Sequence, residues 1–148
     1  MPGIIVGVDG SSHSRRALEW AINEAAVRHL PLTVLTVRQP VTGFWYSPVG
    51  YPAEGYEDLT EHARKEAQEE TDDALGTLAA EARPPEVTVL AAAGAPAEVI
   101  LRAAQDADMV VVGSRGAGGF TKLLLGSVSS QIVHHACCPV VVIPDPDS

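Results

Sequence analysis

Cysteine is nearly absent, and the only two, Cys137 and Cys138, are adjacent. Neighbouring thiols cannot staple separate elements, so a disulfide framework is excluded and a reducing cytoplasm is the expected setting. No apolar run approaches the roughly 18 residues that a membrane span needs. The chain opens directly on MPGIIVGVDG, without a basic stretch leading into an apolar one. No signal peptide is expected there. Basic residues are scarce: 10 Lys and Arg stand against 19 Asp and Glu, a formal charge of −9. That balance disfavours long-range attraction to nucleic acid or to an anionic membrane. It does not exclude a small phosphate ligand, because backbone N–H groups bind anions locally whatever the net charge.

What is present is a chain of 148 residues, 46% apolar, enough for one domain with a sizeable core. Residues 4–9, IIVGVD, form a continuous apolar run that stops at Asp9. Such a run reads as a strand buried on both faces. The serines of GSSHS suit a helix cap, and Ala17, Leu18, Ala21, Ile22, Ala25 and Ala26 follow as a helical stripe. Residues 32–37 are a second strand, 38–56 a long loop rich in proline and glycine, and 57–82 a long acidic helix. Its inward stripe is Leu59, Ala63, Ala67, Ala74, Leu75, Leu78 and Ala82. A third strand covers 87–91, Gly94 turns the chain, and Pro96 suits the first position of a helix carrying Val99, Ile100, Ala103 and Ala104. The fourth strand is 109–112, a helix bears Val128, Ile132, Val133 and Ala136, and the fifth strand is 140–143. Strictly alternating strands and helices imply a parallel sheet with helices on both faces and ligands beyond the carboxyl ends of the strands. Periodicity leaves the strand order open.

The fourth strand runs into GSRGAGGFTKLLLGSVSS, residues 113–130, with five glycines. This is not a P-loop, since the chain has no Gly-Lys pair, and Thr121 breaks a GxGxxG reading of Gly116 and Gly118. The spacing is Gly113, two residues, Gly116, nine residues, Gly126-Ser127. Gly113, Gly116 and Gly118 are expected to turn the backbone with its N–H groups exposed, and Gly126 to permit close approach where the last helix starts. The helix start adds free N–H groups and a partial positive charge, and Ser114, Ser127, Val128 and Ser129 complete a cradle for a triphosphate. Arg115 is placed to reach a phosphate, whereas Lys122 reads as a solvated charge.

The spacing resembles the nucleotide-binding signature of the universal stress protein family, ATP-binding branch. IIVGVDGS at the start resembles that family's first strand and turn, GAPAEVI at 94–100 its third turn and helix, and GSVSSQIVHHACCPVVVI at 126–143 its last helix and strand. The resemblance covers essentially the whole chain as one domain, 1–148. It implies an α/β fold: a doubly wound, five-stranded parallel sheet in the order 3-2-1-4-5, Rossmann-like and similar to the adenine nucleotide alpha hydrolases. It implies ATP as ligand, with Mg²⁺ held mainly by the phosphates. It places Asp9, with Val8, Gly10 and Ser11, near the ribose, and Val37 against the adenine through its backbone. The expected function is a nucleotide-binding regulatory module of the stress response; a slow ATPase or phosphotransferase, or a nucleotide-free structural dimer, are the alternatives. None of the histidines at 13, 29, 62, 134 and 135 falls in the cradle, though His13 is close to it in sequence, so no catalytic base is assigned and hydrolysis is expected to be slow or absent.

Strand five lies at the sheet edge in that order, and VVVI carries no charge. A homodimer through 140–143 is therefore expected, with Val141 carrying the central backbone donor of the seam. HHACC at 134–138 has metal-ligand spacing, but its two His–Cys pairs face different ways and no second cluster exists. Packed thiols are expected there and no metal. The loop 38–56 holds five of the seven aromatics: Phe44, Trp45, Tyr46, Tyr51 and Tyr56. That concentration reads either as a lid or surface for a protein partner, or as a loop packed on its own domain.

Overall fold

The computed structural model describes residues 1–39, 53–114 and 125–144, with the backbone alone over 53–58. Its strands are β1 (Ile4–Val8), β2 (Leu32–Arg38), β3 (Val87–Ala93), β4 (Met109–Gly113) and β5 (Val140–Ile143). Its helices are α1 (Ser12–Arg28), α2 (Ala53–Gly76), α3 (Pro96–Ala103) and α4 (Ser127–His135), with a short 3₁₀ turn at Ala80–Ala82. All pairings are parallel and the order is β3-β2-β1-β4-β5, the order that the resemblance implied.

Two apolar layers follow from the strand period of two. Ile4, Val6 and Val8 of β1 face one layer with Leu32, Val34, Met109 and Val111, covered by Leu18 and Ile22 of α1 and Ala67 and Ala74 of α2. Ile5 faces the other with Leu35, Val37, Val110 and Val112, covered by Ile100 of α3 and Ile132 of α4. Gly7 stands where β1 meets α3. A Cβ there would lie 3.0 Å from Ile100 Cδ1, so its absence sets how closely the helix approaches the strand. Ile132 is fully buried on a helix of nine residues. Ile132→Ala is expected to destabilise the fold by about 2–5 kcal/mol, the usual range for such truncations, measured by urea unfolding at constant m-value.

Several boundaries differ from the sequence-based expectation. Strand β2 extends to Arg38 and α2 begins at Ala53, so the connection is shorter than 38–56 and Tyr56 belongs to a helix. The aromatic positions 44, 45, 46 and 51 lie outside the described residues. The acidic helix stops at Gly76 rather than reaching residue 82, and the chain resumes as the 3₁₀ turn. Leu59 was expected inward but is 43% exposed. Val133 of α4 is likewise exposed, while Ala63, Ala67 and Ala74 are buried as expected. Strand β3 continues to Ala93 because its backbone stays paired with β2 as far as Arg38.

The register of the edge strand corrects one detail. Val110 N donates to Pro139 O and Ser114 N donates to Ile143 O, both at 2.9 Å. Bonds in a parallel ladder alternate along each strand, so Val141 turns its backbone toward β4. Val140 and Val142 carry the outward-facing groups. The central donor of any seam along β5 therefore belongs to Val142, not Val141.

Candidate functional site

Strands β1 and β4 are neighbours, with Ile4, Ile5 and Val6 opposite Met109, Val110 and Val111. The chain leaves β1 toward β2 on one side, and β4 leads to β5 on the other. The carboxyl ends of β1 and β4 thus flank the switch in strand order, where open α/β sheets take their ligands.

The turn after β1 is held from within. Asp9 Oδ1 accepts from Ser11 N at 3.0 Å and from Ser11 Oγ at 2.6 Å. Ser11 Oγ in turn accepts from Ser14 N at 3.3 Å and is the N-cap of α1. Ser14 Oγ accepts from Asp9 N at 3.2 Å and donates to Ser11 O at 3.1 Å. Asp9 therefore braces the capping residue. Between them Gly10 has φ +83°, in the left-handed region, and among the described residues no atom beyond its chain neighbours lies within 4 Å of where its Cβ would stand.

The end of β4 is tied to the start of α4. Ser114 N donates to Ile143 O at 2.9 Å, and Ser114 O accepts from Gly126 N at 2.6 Å. Ser129 is buried, and its hydroxyl donates to Ser114 O at 3.1 Å and Gly126 O at 3.2 Å. Ser114 and Ser129 thus form a joint that brings the two ends of the connection 115–125 together. Gly126 is the N-cap of α4, extended at φ −77° and ψ 177°, and among the described residues no side chain caps the helix. The first backbone N–H groups of α4, from Ser127 onward, have no acceptor within the helix. Ser127 itself is exposed and Val128 half-buried. Gly113 does not turn the chain as expected: it is the last residue of β4, paired with Ile143. Positive-φ glycines among the described residues are Gly3, Gly10 and Gly94. Arg115, Gly116, Gly118 and Lys122 lie outside the described residues.

Val8 ends β1 buried in the α1–α2 layer, and Val37, near the end of β2, is buried in the α3–α4 layer. The next residue, Arg38, was not singled out in the sequence. Its guanidinium approaches Asp9 O at 3.5 Å through one nitrogen and pairs with Glu66 Oε2 at 3.2 Å through another. Glu66 Oε1 also meets His62 Nε2 at 2.8 Å. Arg38 so links the ends of β1 and β2 to α2. A basic residue at a strand end in an acidic chain was the available signal.

On the α2 side of the Gly10 turn lies a cleft of about 450 Å³ bordered by Gly10, Ser11, Arg15, Glu69, Glu70 and Asp73. Arg15 Nη2 pairs with Asp73 at 2.9 Å and its Nε with Glu19 at 3.0 Å. Those partners hold its pKa above the ordinary value, the bond to Asp73 first. At the opposite end of the sheet, Cys137 is exposed and Cys138 half-buried. Burial pushes the Cys138 thiol up, which keeps it protonated. Among the described residues no group of three or more His, Cys, Asp or Glu is arranged to hold a metal.

The fold and the site together define a class: an open parallel sheet with a capped turn after β1 and an uncapped helix start at its switch point. The family model described as the universal stress protein family matches residues 2–144. The chain belongs to the universal stress protein family. It is 38% identical to a universal stress protein of Mycolicibacterium smegmatis over 98% of its length, and 36% identical to one of Mycobacterium tuberculosis over 99%. It spans 49% and 48% of those relatives, about half the length of each. Among solved structures, the universal stress protein UspA from Lactobacillus plantarum superposes with a TM-score of 0.77 at 26% identity, covering 96% of this chain and 97% of that one. A universal stress protein solved in complex with cAMP shares the fold at a TM-score of 0.67 and 23% identity, covering 97% of this chain and 96% of that one. Among the described residues no helix is long and apolar enough to cross a membrane.

Proposed function

We propose that this chain is a nucleotide-binding regulatory module that holds ATP at the carboxyl edge of β1 and β4. The observation that carries the reading is the uncapped start of α4, brought within a hydrogen bond of the end of β4 by Gly126 N and Ser114 O. A helix start whose first N–H groups have no acceptor within the helix, placed at a switch point, is suited to phosphate. The phosphates would lie against residues 113–116, 118 and 126–128, with Arg115 as a charged donor and Ser129 holding the joint behind them. The open face of Gly10 admits the ligand beside Asp9 and Ser11, and the backbone of Val37 faces the adenine. A family neighbour solved with cAMP supports an adenine nucleotide. Any Mg²⁺ would ride mainly on the phosphates. His134 and His135 close α4 at the end opposite its uncapped start. They offer no base to the phosphates, and ATP is held with slow or no turnover.

The module acts in the cytoplasm, in the stress response, as a homodimer joined through 140–143. Denaturing the purified protein and separating the released small molecules by chromatography tests the nucleotide reading. ATP in near-stoichiometric amount is the expected result. If the native protein holds no adenine nucleotide and takes up none on incubation with millimolar ATP, the reading fails.

A further inference from the structure

Glu70 is a charge in a poor place. Its Oε1 is buried and meets no hydrogen-bond donor. The groups around it are already committed. On α1, Arg15 is drawn to Asp73 and Glu19. On α2, Glu66 is taken by His62 and by Arg38 of β2. Glu69 and Asp73 border the same cleft as further negative charges. Asp9, on the turn after β1, adds its own. An oxygen removed from water without a donor disfavours the ionised carboxylate. Desolvation accordingly raises the Glu70 pKa above its ordinary 4.5; Asp9 and Glu19 push the same way and Arg15 opposes them.

We propose that Glu70 takes up a proton when a nucleotide binds beside the Asp9–Ser11 turn, so that nucleotide affinity rises as the pH falls. The inference rests on the nucleotide reading above and deepens it. Glu70 shares its cleft with Gly10 and Ser11, the turn that the nucleotide would approach. Glu70 already feels the charge of Asp9, and a nucleotide seated with its ribose against that turn would bring its phosphates to the same end of the sheet. Their negative charges would disfavour its carboxylate further, and linkage requires the converse: neutral Glu70 strengthens nucleotide binding. The proton comes from solvent and adds to a carboxylate oxygen, giving the neutral acid with one O–H donor. The effect on the free fold has the same sign. The folded state holds the proton more tightly than the unfolded chain, so the stability contributed by neutral Glu70 is full below about pH 4.5. It is lost as the pH rises through the higher folded value.

The test is calorimetric titration of the full chain with ATP, in two buffers of different ionisation enthalpy, from about pH 5.5 to about pH 7.5. The parent is compared with Glu70→Gln, which keeps the shape and removes the titration; the ionisation of ATP itself cancels in the difference. The parent should take up the larger fraction of a proton, and its affinity should fall by about fivefold more across the range, the lower end of ordinary coupling between sites. Equal uptake and equal pH dependence in both proteins overturn this inference and leave the nucleotide reading intact. No binding in either overturns the nucleotide reading and this inference with it. Should the variant fail to fold, the Glu70 carboxyl is titrated by ¹³C NMR in the parent with and without ATP. An upward move of its midpoint on binding supports the coupling, and an unmoved midpoint overturns it.

Discussion

Gly116→Val is expected to lower ATP affinity by at least about 100-fold, equivalent to roughly 2.8 kcal/mol, while the protein remains folded. Gly116 lies in the connection between β4 and α4, three residues after Gly113 and ten before Gly126. The ends of that connection meet where Gly126 N donates to Ser114 O at 2.6 Å, beside the uncapped start of α4. A phosphate bound by those N–H groups needs the backbone of the connection to approach it closely, and two γ-methyls on a β-branched side chain would occupy that space. The fold is expected to survive the change. The layers that hold the sheet are built from Ile5, Val110, Val112, Ile100 and Ile132 on one side and Ile4, Leu18, Ile22 and Val111 on the other. Binding is read by calorimetry and the fold by circular dichroism and thermal unfolding. An unchanged affinity would mean that the phosphates lie elsewhere.

In the homodimer proposed through β5, Val142→Pro is expected to yield monomers at micromolar concentration, whereas Val142→Ala should leave the assembly intact. Strand β5 is the edge of the sheet, and its four residues are all half-buried and uncharged. An uncharged edge with free N–H and C=O groups invites a second strand, and a two-fold axis lets β5 pair with its own copy. The bonds from Val110 N to Pro139 O and from Ser114 N to Ile143 O turn Val141 inward and Val142 outward. Proline at 142 therefore removes a donor from the seam in both copies and spares the ladder to β4, where an edge strand tolerates it. Proline at 141 would strike that ladder and confuse dissociation with unfolding. Light scattering of the parent and both variants decides the matter. A parent of monomer mass would remove the dimer altogether.

Much of the fold was legible because its strands are short continuous apolar runs between breakers. IIVGV before Asp9 and VVVI between Pro139 and Pro144 were placed within a residue of their observed bounds. The α1 stripe and the first position of α3 at Pro96 were legible for the same reason: spacing and capping chemistry are local. The acidic helix was misjudged at both ends. Charge dilutes its apolar stripe, and Leu59 points outward although its spacing fits the inward face. The capping residue was less plain, because Asp9, Ser11 and Ser14 all have cap chemistry. Only their mutual bonds make Ser11 the cap and Asp9 its brace.

The sequence by itself determined the alternation of strands and helices, the absence of a disulfide frame and the glycine-rich segment after the fourth strand. These depend on residue types and on spacings of a few positions. Periodicity left the strand order open, and the fold set β1 beside β4 as the resemblance implied; tertiary structure alone gave Ser114 and Ser129 to a joint, brought Arg38 to Asp9 and Glu66, and left Glu70 Oε1 without a donor. It also chose which valine of β5 faces outward. Each of these is a contact between residues far apart in the chain, or a register that flips with a shift of one position. Local propensity does not encode such contacts, because their energy exists only once the layers have packed.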